Sequence, residues 1–169
     1  MRARYVMAWM FVCGAMATSG FAQGESMSLR RVRSEGSAIA ALIEVGIAQS
    51  ETFAELVATI DQTDGLVYVE EGKCPHSVRA CLAISITVAG PYRILRIRID
   101  PRRPRRALIA SIGHELRHAI EVLREPGIRS NAAFFHFLQT TAPTARDTFE
   151  TRAAIQVGMD VYAELGPDD

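Results

Sequence analysis

The chain's 169 residues suffice for one domain with a sizeable core, and 49% hydrophobic with 22% charged residues excludes a disordered or fibrous chain. Its 19 basic residues balance its 19 acidic ones, so the overall charge does not call for nucleic acid. Arg2 and Arg4 precede an apolar run from Tyr5 to about Ala17, and Gly20-Phe21-Ala22 places small residues where a signal peptidase reads them. Residues 1–22 are expected to be a signal peptide cleaved after Ala22, its apolar run too short for a confident membrane span. An exported protein follows, periplasmic or secreted, with no membrane attachment after cleavage. The mature chain keeps 17 basic and 19 acidic residues.

Residues 23–36 are polar, basic and aperiodic, as in a loose arm; a single domain, 37–169, comes next. Ala38, Ala41, Leu42, Val45 and Ile47 predict a helix over about Ser37 to Gln49. A second helix opens at the capping hydroxyl of Ser50 and carries Phe53, Leu56, Val57 and Ile60. Leu66 to Val69 reads as a strand ended by Glu70-Glu71-Gly72. From Cys81 to Ala89, Leu82, Ile84, Ile86 and Val88 alternate with smaller residues. Beyond the Gly90-Pro91 turn, Tyr92 to Asp100 sets Leu95, Ile97 and Ile99 against Arg96 and Arg98. Short connections suggest an antiparallel three-stranded meander, and the outward arginines suggest that its last strand is an edge or half-exposed strand; as an edge it could align an extended peptide. Cys74 and Cys81, the only cysteines of the mature chain, are expected to form a disulfide in an oxidising compartment. A metal site from Cys74, His76 and Cys81 is the alternative, and no fourth ligand stands nearby. The run Arg102 to Arg106 reads as a solvated strand-to-helix connection.

Leu108, Ile109, Ile112, Leu116, Ala119, Ile120 and Leu123 then recur at helical spacing, predicting a helix from about Arg105 to Arg124. It contains His114-Glu115-Leu116-Arg117-His118. At about 100° per residue His118 falls roughly 40° from His114, whereas the apolar stripe centres roughly 180° away. Two histidines four residues apart can reach one metal ion, and Glu115 leans over the open coordination position. Two solvated histidines are the plain alternative. Asn131 to Thr141 makes an aromatic helix with Phe134, Phe135 and Phe137, in which His136 reads as a packed histidine. Thr144 to Asp147 resembles a capping box for a last helix from about Arg146 to Leu165, with Glu150 heading the stripe Ala154, Val157, Val161. A carboxylate there is costly to bury unless something positive meets it.

A catalytic zinc takes three protein ligands and one water, and His, His and carboxylate make one such set. His114, His118 and Glu150 are the expected zinc ligands, with Glu115 taking a proton from the attacking water and passing one to the leaving amine. Glu150 paired with Arg146 is the alternative; Asp147 is a competing ligand, and Glu121, one turn past His118, is either its support or solvated. Tyr92 and His136 are candidates for stabilising the transition state, whereas Tyr162 lies about 18 Å along the helix from Glu150.

HELRH followed 32 residues after His118 by Glu150 resembles the gluzincin branch of the zincin metallopeptidases, over about Tyr92 to Leu165. The resemblance implies a small mixed sheet behind an active-site helix and zinc-dependent hydrolysis of a peptide or protein substrate. It does not extend to the metzincin branch, where a glycine would stand at Glu121 and a third histidine at Arg124. Arg117, where such peptidases usually carry an uncharged residue, and Ala154, where an orienting acid often stands, depart from the pattern. The sequence thus predicts an α+β fold: a small antiparallel sheet with N-terminal helices, the HELRH helix and C-terminal helices. The competing reading is a non-catalytic exported module that uses zinc or only its disulfide for structure. The chain carries no signal for an oligomeric state.

Overall fold

The computed structural model describes residues 30–75, 78–141 and 149–167. The expected signal peptide and the arm up to residue 29 lie outside the described residues. The elements run β1 (Val32–Ser34), α1 (Ser37–Gln49), α2 (Glu51–Asp61), β2 (Gly65–Glu71), β3 (Ala80–Leu82), β4 (Thr87–Ala89), β5 (Tyr92–Ile99), α3 (Arg105–Leu123), α4 (Asn131–Thr141) and α5 (Arg152–Glu164). This is an α+β fold, five helices against a small mixed, open sheet.

The antiparallel meander is not what forms. The sheet order is β1-β2-β5-β3, with β4 also on β5; β1–β2 and β2–β5 are parallel, and only β3 and β4 run antiparallel to β5. After β2 the chain crosses the end of β5, where Gly72 N–H donates to Ile99 O at 3.0 Å, and descends on the far side as β3 and β4. Gly90, at φ 58°, supplies the left-handed residue that with Pro91 turns the chain into β5. β5 is therefore the centre of the sheet and not its edge. Strand alternation reports which face is buried, not which neighbour pairs or in which direction.

The continuous strand expected from Cys81 to Ala89 is interrupted because Ser85 N–H folds back on Ala83 O (2.7 Å) and Ile86 N–H is taken by Asn131 Oδ1 (2.8 Å). Ile84 and Val88 are consequently exposed. Part of the expected loose arm is ordered as β1, with Val32 buried against the helices. The Cys74–Cys81 disulfide is formed, its Cα atoms 5.8 Å apart. Ser50 caps α2 by accepting Phe53 N–H at 3.0 Å, as its position suggested.

One sheet face carries Val67, Val69, Leu95, Ile97 and Ile99 into a core shared with α1, α2 and α3. On the other face Glu70 meets Arg96 (2.9 Å) and Arg98 (3.3 Å). Arg93 breaks the division: it lies in phase with Leu95 and Ile97 and is only 1% exposed. Its guanidinium holds Asp64 at 2.6 Å and donates to the carbonyls of Val122, Leu123, Glu125 and Ile128, closing the C-terminal end of α3. Arg93→Met removes the buried partner of Asp64, whose own side chain is about a third exposed, and leaves α3's last carbonyls unserved. It is expected to lower the unfolding free energy by about 3 kcal/mol in urea denaturation of the disulfide-intact protein.

Candidate metal centre

α3 forms because its apolar positions face the sheet, and α2 and α5 pack over much of the rest, so that even Glu115 and His118 are buried, while Ala107, Ser111 and His114 stay half-buried along a groove. The histidine face does not look into open water. α5 packs across it closely enough that a Cβ on Gly113 would stand 3.0 Å from Val161 Cγ2, and one on Gly158 would stand 3.4 Å from His114 Cβ.

Glu150 does not lie in the last helix. The Thr151 hydroxyl accepts Ala154 N–H at 3.1 Å and starts α5 at Arg152, leaving Glu150 in the connection just before the cap. The stripe that follows begins at Ala154. The expected start near Arg146, the capping box Thr144 to Asp147 and the competing ligand Asp147 lie outside the described residues, as do Arg146 and His76.

His114, His118 and Glu150 each turn one ligand atom toward a common point, and these atoms lie within 4.8 Å of one another. Glu150 Oε2 is 3.0 Å from His114 Nε2 and 3.8 Å from His118 Nε2. The two rings meet edge-on with centroids 4.9 Å apart. Among the described residues His118 Nε2 is buried and has no hydrogen-bond partner, a costly arrangement for a ring nitrogen unless another group uses its lone pair. Two imidazoles and a carboxylate with one orphaned buried nitrogen fit a metal ion.

The opposite edge of His118 is held: Nδ1 meets Glu121 Oε2 at 3.1 Å, and Glu121 Oε1 accepts the Thr151 hydroxyl at 2.9 Å, with Arg117 Nε 3.3 Å away. Glu121 thereby fixes the tautomer that leaves Nε2 free and ties His118 to the residue after Glu150. Arg117 and Ala154 acquire a physical reading: the arginine partners the orienting acid, and that acid stands on α3 instead of at position 154. Glu121 was legible as a carboxylate on the histidine face; its link to Thr151 was not.

Glu115 Oε2 accepts Leu82 N–H at 2.7 Å, which holds the carboxyl at the free edge of β3 beside the histidines. A groove of about 820 Å³ opens there, with His114, Glu115 and Glu150 in its wall. Tyr162 also lines it, whereas neither Tyr92 nor His136 does. His136 is exposed on α4 and not packed among the phenylalanines. No family model, curated protein or solved structure matches this chain.

Burial raises the Glu115 carboxyl above its usual range. The hydrogen bond from His114, followed by the nearby His118 imidazole, holds Glu150 down to about 2. Burial opposes charge on His118, but Glu121, Glu150 and Glu115 outweigh it and raise the imidazole to about 9. In the metal-free protein a raised histidine contributes stability below its ordinary 6.5 that is lost as pH rises through about 9. Glu150's contribution is present above 4.5 and lost as pH falls toward about 2. A metal ion must displace the His118 proton, so its binding has the opposite slope. Thermal stability of metal-free protein is expected to fall from pH 6.5 to 9 while the added stability from zinc grows over the same range; a pH-independent zinc increment would contradict the assignment. Glu121→Gln is expected to weaken metal affinity about tenfold in competition with a chromophoric chelator, without loss of fold.

Proposed function

We propose that this chain is an exported zinc-dependent metallopeptidase of gluzincin type, hydrolysing peptide bonds at the His114–His118–Glu150 centre. The observation that supports the reading most strongly is the convergence of the three ligand atoms within 4.8 Å, from two separate parts of the chain, beside a buried Glu115 that opens on a groove. The expected signal peptide and the formed disulfide support an oxidising destination. Among the described residues no helix is long and apolar enough to cross a membrane.

His114, His118 and Glu150 would hold the ion, and zinc would supply a Lewis acid and a water of lowered pKa. Glu115 Oε2 is anchored by Leu82 N–H, so Oε1 is the oxygen left to accept a proton from the attacking water and to deliver one to the departing nitrogen. Burial suits it to this work, because a carboxyl raised above its ordinary range holds a proton longer.

The edge available to a substrate is that of β3, not the Tyr92 to Asp100 strand. Arg79 O and Ala83 N bond to β5, so the alternate residues Ala80 and Leu82 turn their backbone groups outward, the Leu82 N–H being already taken by Glu115. An extended peptide added along this edge would bring its scissile bond to Glu115.

Elemental analysis and cleavage of quenched fluorescent peptides test the reading together. One zinc per chain is expected, lost in His118→Ala and Glu150→Ala. Glu115→Gln should keep the zinc while cleavage falls by about 10²- to 10⁴-fold. If Glu115→Gln cleaves as well as the parent, the enzymatic role of this residue is overturned. Zinc that raises thermal stability without any cleavage would mark the chain as a structural module.

A further inference from the structure

His114 and His118 stand on the body of α3, whereas Glu150 lies in the connection before α5 with its side chain 41% exposed. Among the described residues its partners are the two histidines themselves, His114 Nε2 at 3.0 Å and His118 Nε2 at 3.8 Å. Nitrogen and oxygen ligands of one tetrahedral zinc stand about 3.3 Å apart, between these two distances. The carboxylate therefore rests close to where an ion would need it. An exposed side chain on a connection gives up conformational freedom to stay in such a place, so something beside it must hold it there.

Its two chain neighbours are the residues that are held. Phe149 packs against the core and sets its ring edge-on to Phe135 of α4, the centroids 6.0 Å apart. Thr151 is extended, with φ −107° and ψ 150°, and its single hydroxyl works in two directions. The oxygen accepts Ala154 N–H at 3.1 Å, and the proton goes to Glu121 Oε1 at 2.9 Å. The other oxygen of that carboxylate meets His118 Nδ1 at 3.1 Å. A closed circuit results. Glu121 holds one edge of the His118 ring and also Thr151; Thr151 is bonded to Glu150; and Glu150 faces the other edge of the same ring. The cap fixes where α5 begins, and the bond to Glu121 ties that point to the ring of a metal ligand.

We infer that Thr151 is a positioning residue of the metal centre, whose hydroxyl, acting through Glu121, ties the ligand Glu150 to the ligand His118. The inference rests on the three-ligand centre of the proposed function and not on peptide hydrolysis. Serine can donate and accept as threonine does, whereas valine keeps the shape of threonine and does neither.

The test is a double-mutant cycle read as zinc affinity of the full chain in competition with a chromophoric chelator. Thr151→Val and Thr151→Ser are each made in the parent and in Glu121→Ala, with helical content followed by circular dichroism. Thr151→Val is expected to weaken zinc about tenfold and Thr151→Ser to bind it as the parent does. In Glu121→Ala the tenfold loss should vanish, because the hydroxyl has no carboxylate left to act through. A loss of the same size with or without Glu121 would assign the effect to the helix cap alone and overturns the inference. So does a Thr151→Val protein that binds zinc like the parent. Thr151→Gly, tolerated at a helix N-cap but lacking the hydroxyl, is carried through the same cycle and decides it should Thr151→Val not fold. A parent that binds no zinc removes the three-ligand centre and the inference with it; a parent that binds zinc with indifference to Thr151 leaves the centre standing and overturns the inference alone.

Discussion

Helices α3 and α5 meet where glycine keeps a Cβ out of the contact on each. Gly113 admits Val161, and Gly158 faces the His114 ring, with a Cβ there 3.5 Å from Nδ1. Any larger residue at Gly113 would need Val161 to give way, and the start of α5 would shift with it. That start carries Glu150 and Thr151, which meet His114 and Glu121. The geometry of the centre therefore depends on a packing distance several residues away from it.

Three carboxylates and two imidazoles crowd into this partly buried space, an arrangement that low dielectric makes costly unless opposite charge is supplied. In the metal-free state the supply is a proton: His118 holds one up to about 9 and Glu150 stays ionised down to about 2. A divalent ion would supply more, and from the side where His118 Nε2 has no hydrogen-bond partner among the described residues. Glu121 does not compete for that place, because His118 Nδ1 and the Thr151 hydroxyl already engage both its oxygens. The division of labour follows: Glu150 faces the ligand position, Glu121 orients, and Glu115, tied to Leu82, faces the groove.

The HELRH helix was legible to within a residue of each end because a long apolar stripe at helical period admits few alternatives. Its partner Glu150 was legible as an acid that a cation would meet, but neither as a residue outside the helix nor as one left exposed. Helical periodicity carries through Glu150, and only the Thr151 side chain, by capping, ends the helix there. The strands β2 and β5 were legible in their faces and not in their pairing, since Leu95, Ile97 and Ile99 alternate identically on a central or an edge strand. Arg93 did leave a signal: a charged residue in phase with those three announces a buried cation in need of an acid, which Asp64 provides.

Zinc K-edge absorption of the loaded full chain tests the central claim, that these three side chains make one metal centre. Two imidazole nitrogens and carboxylate and water oxygens at about 2.0–2.1 Å, with no sulfur, are the predicted shell. A sulfur shell at about 2.3 Å, or an all-oxygen shell without imidazole scattering, would contradict it.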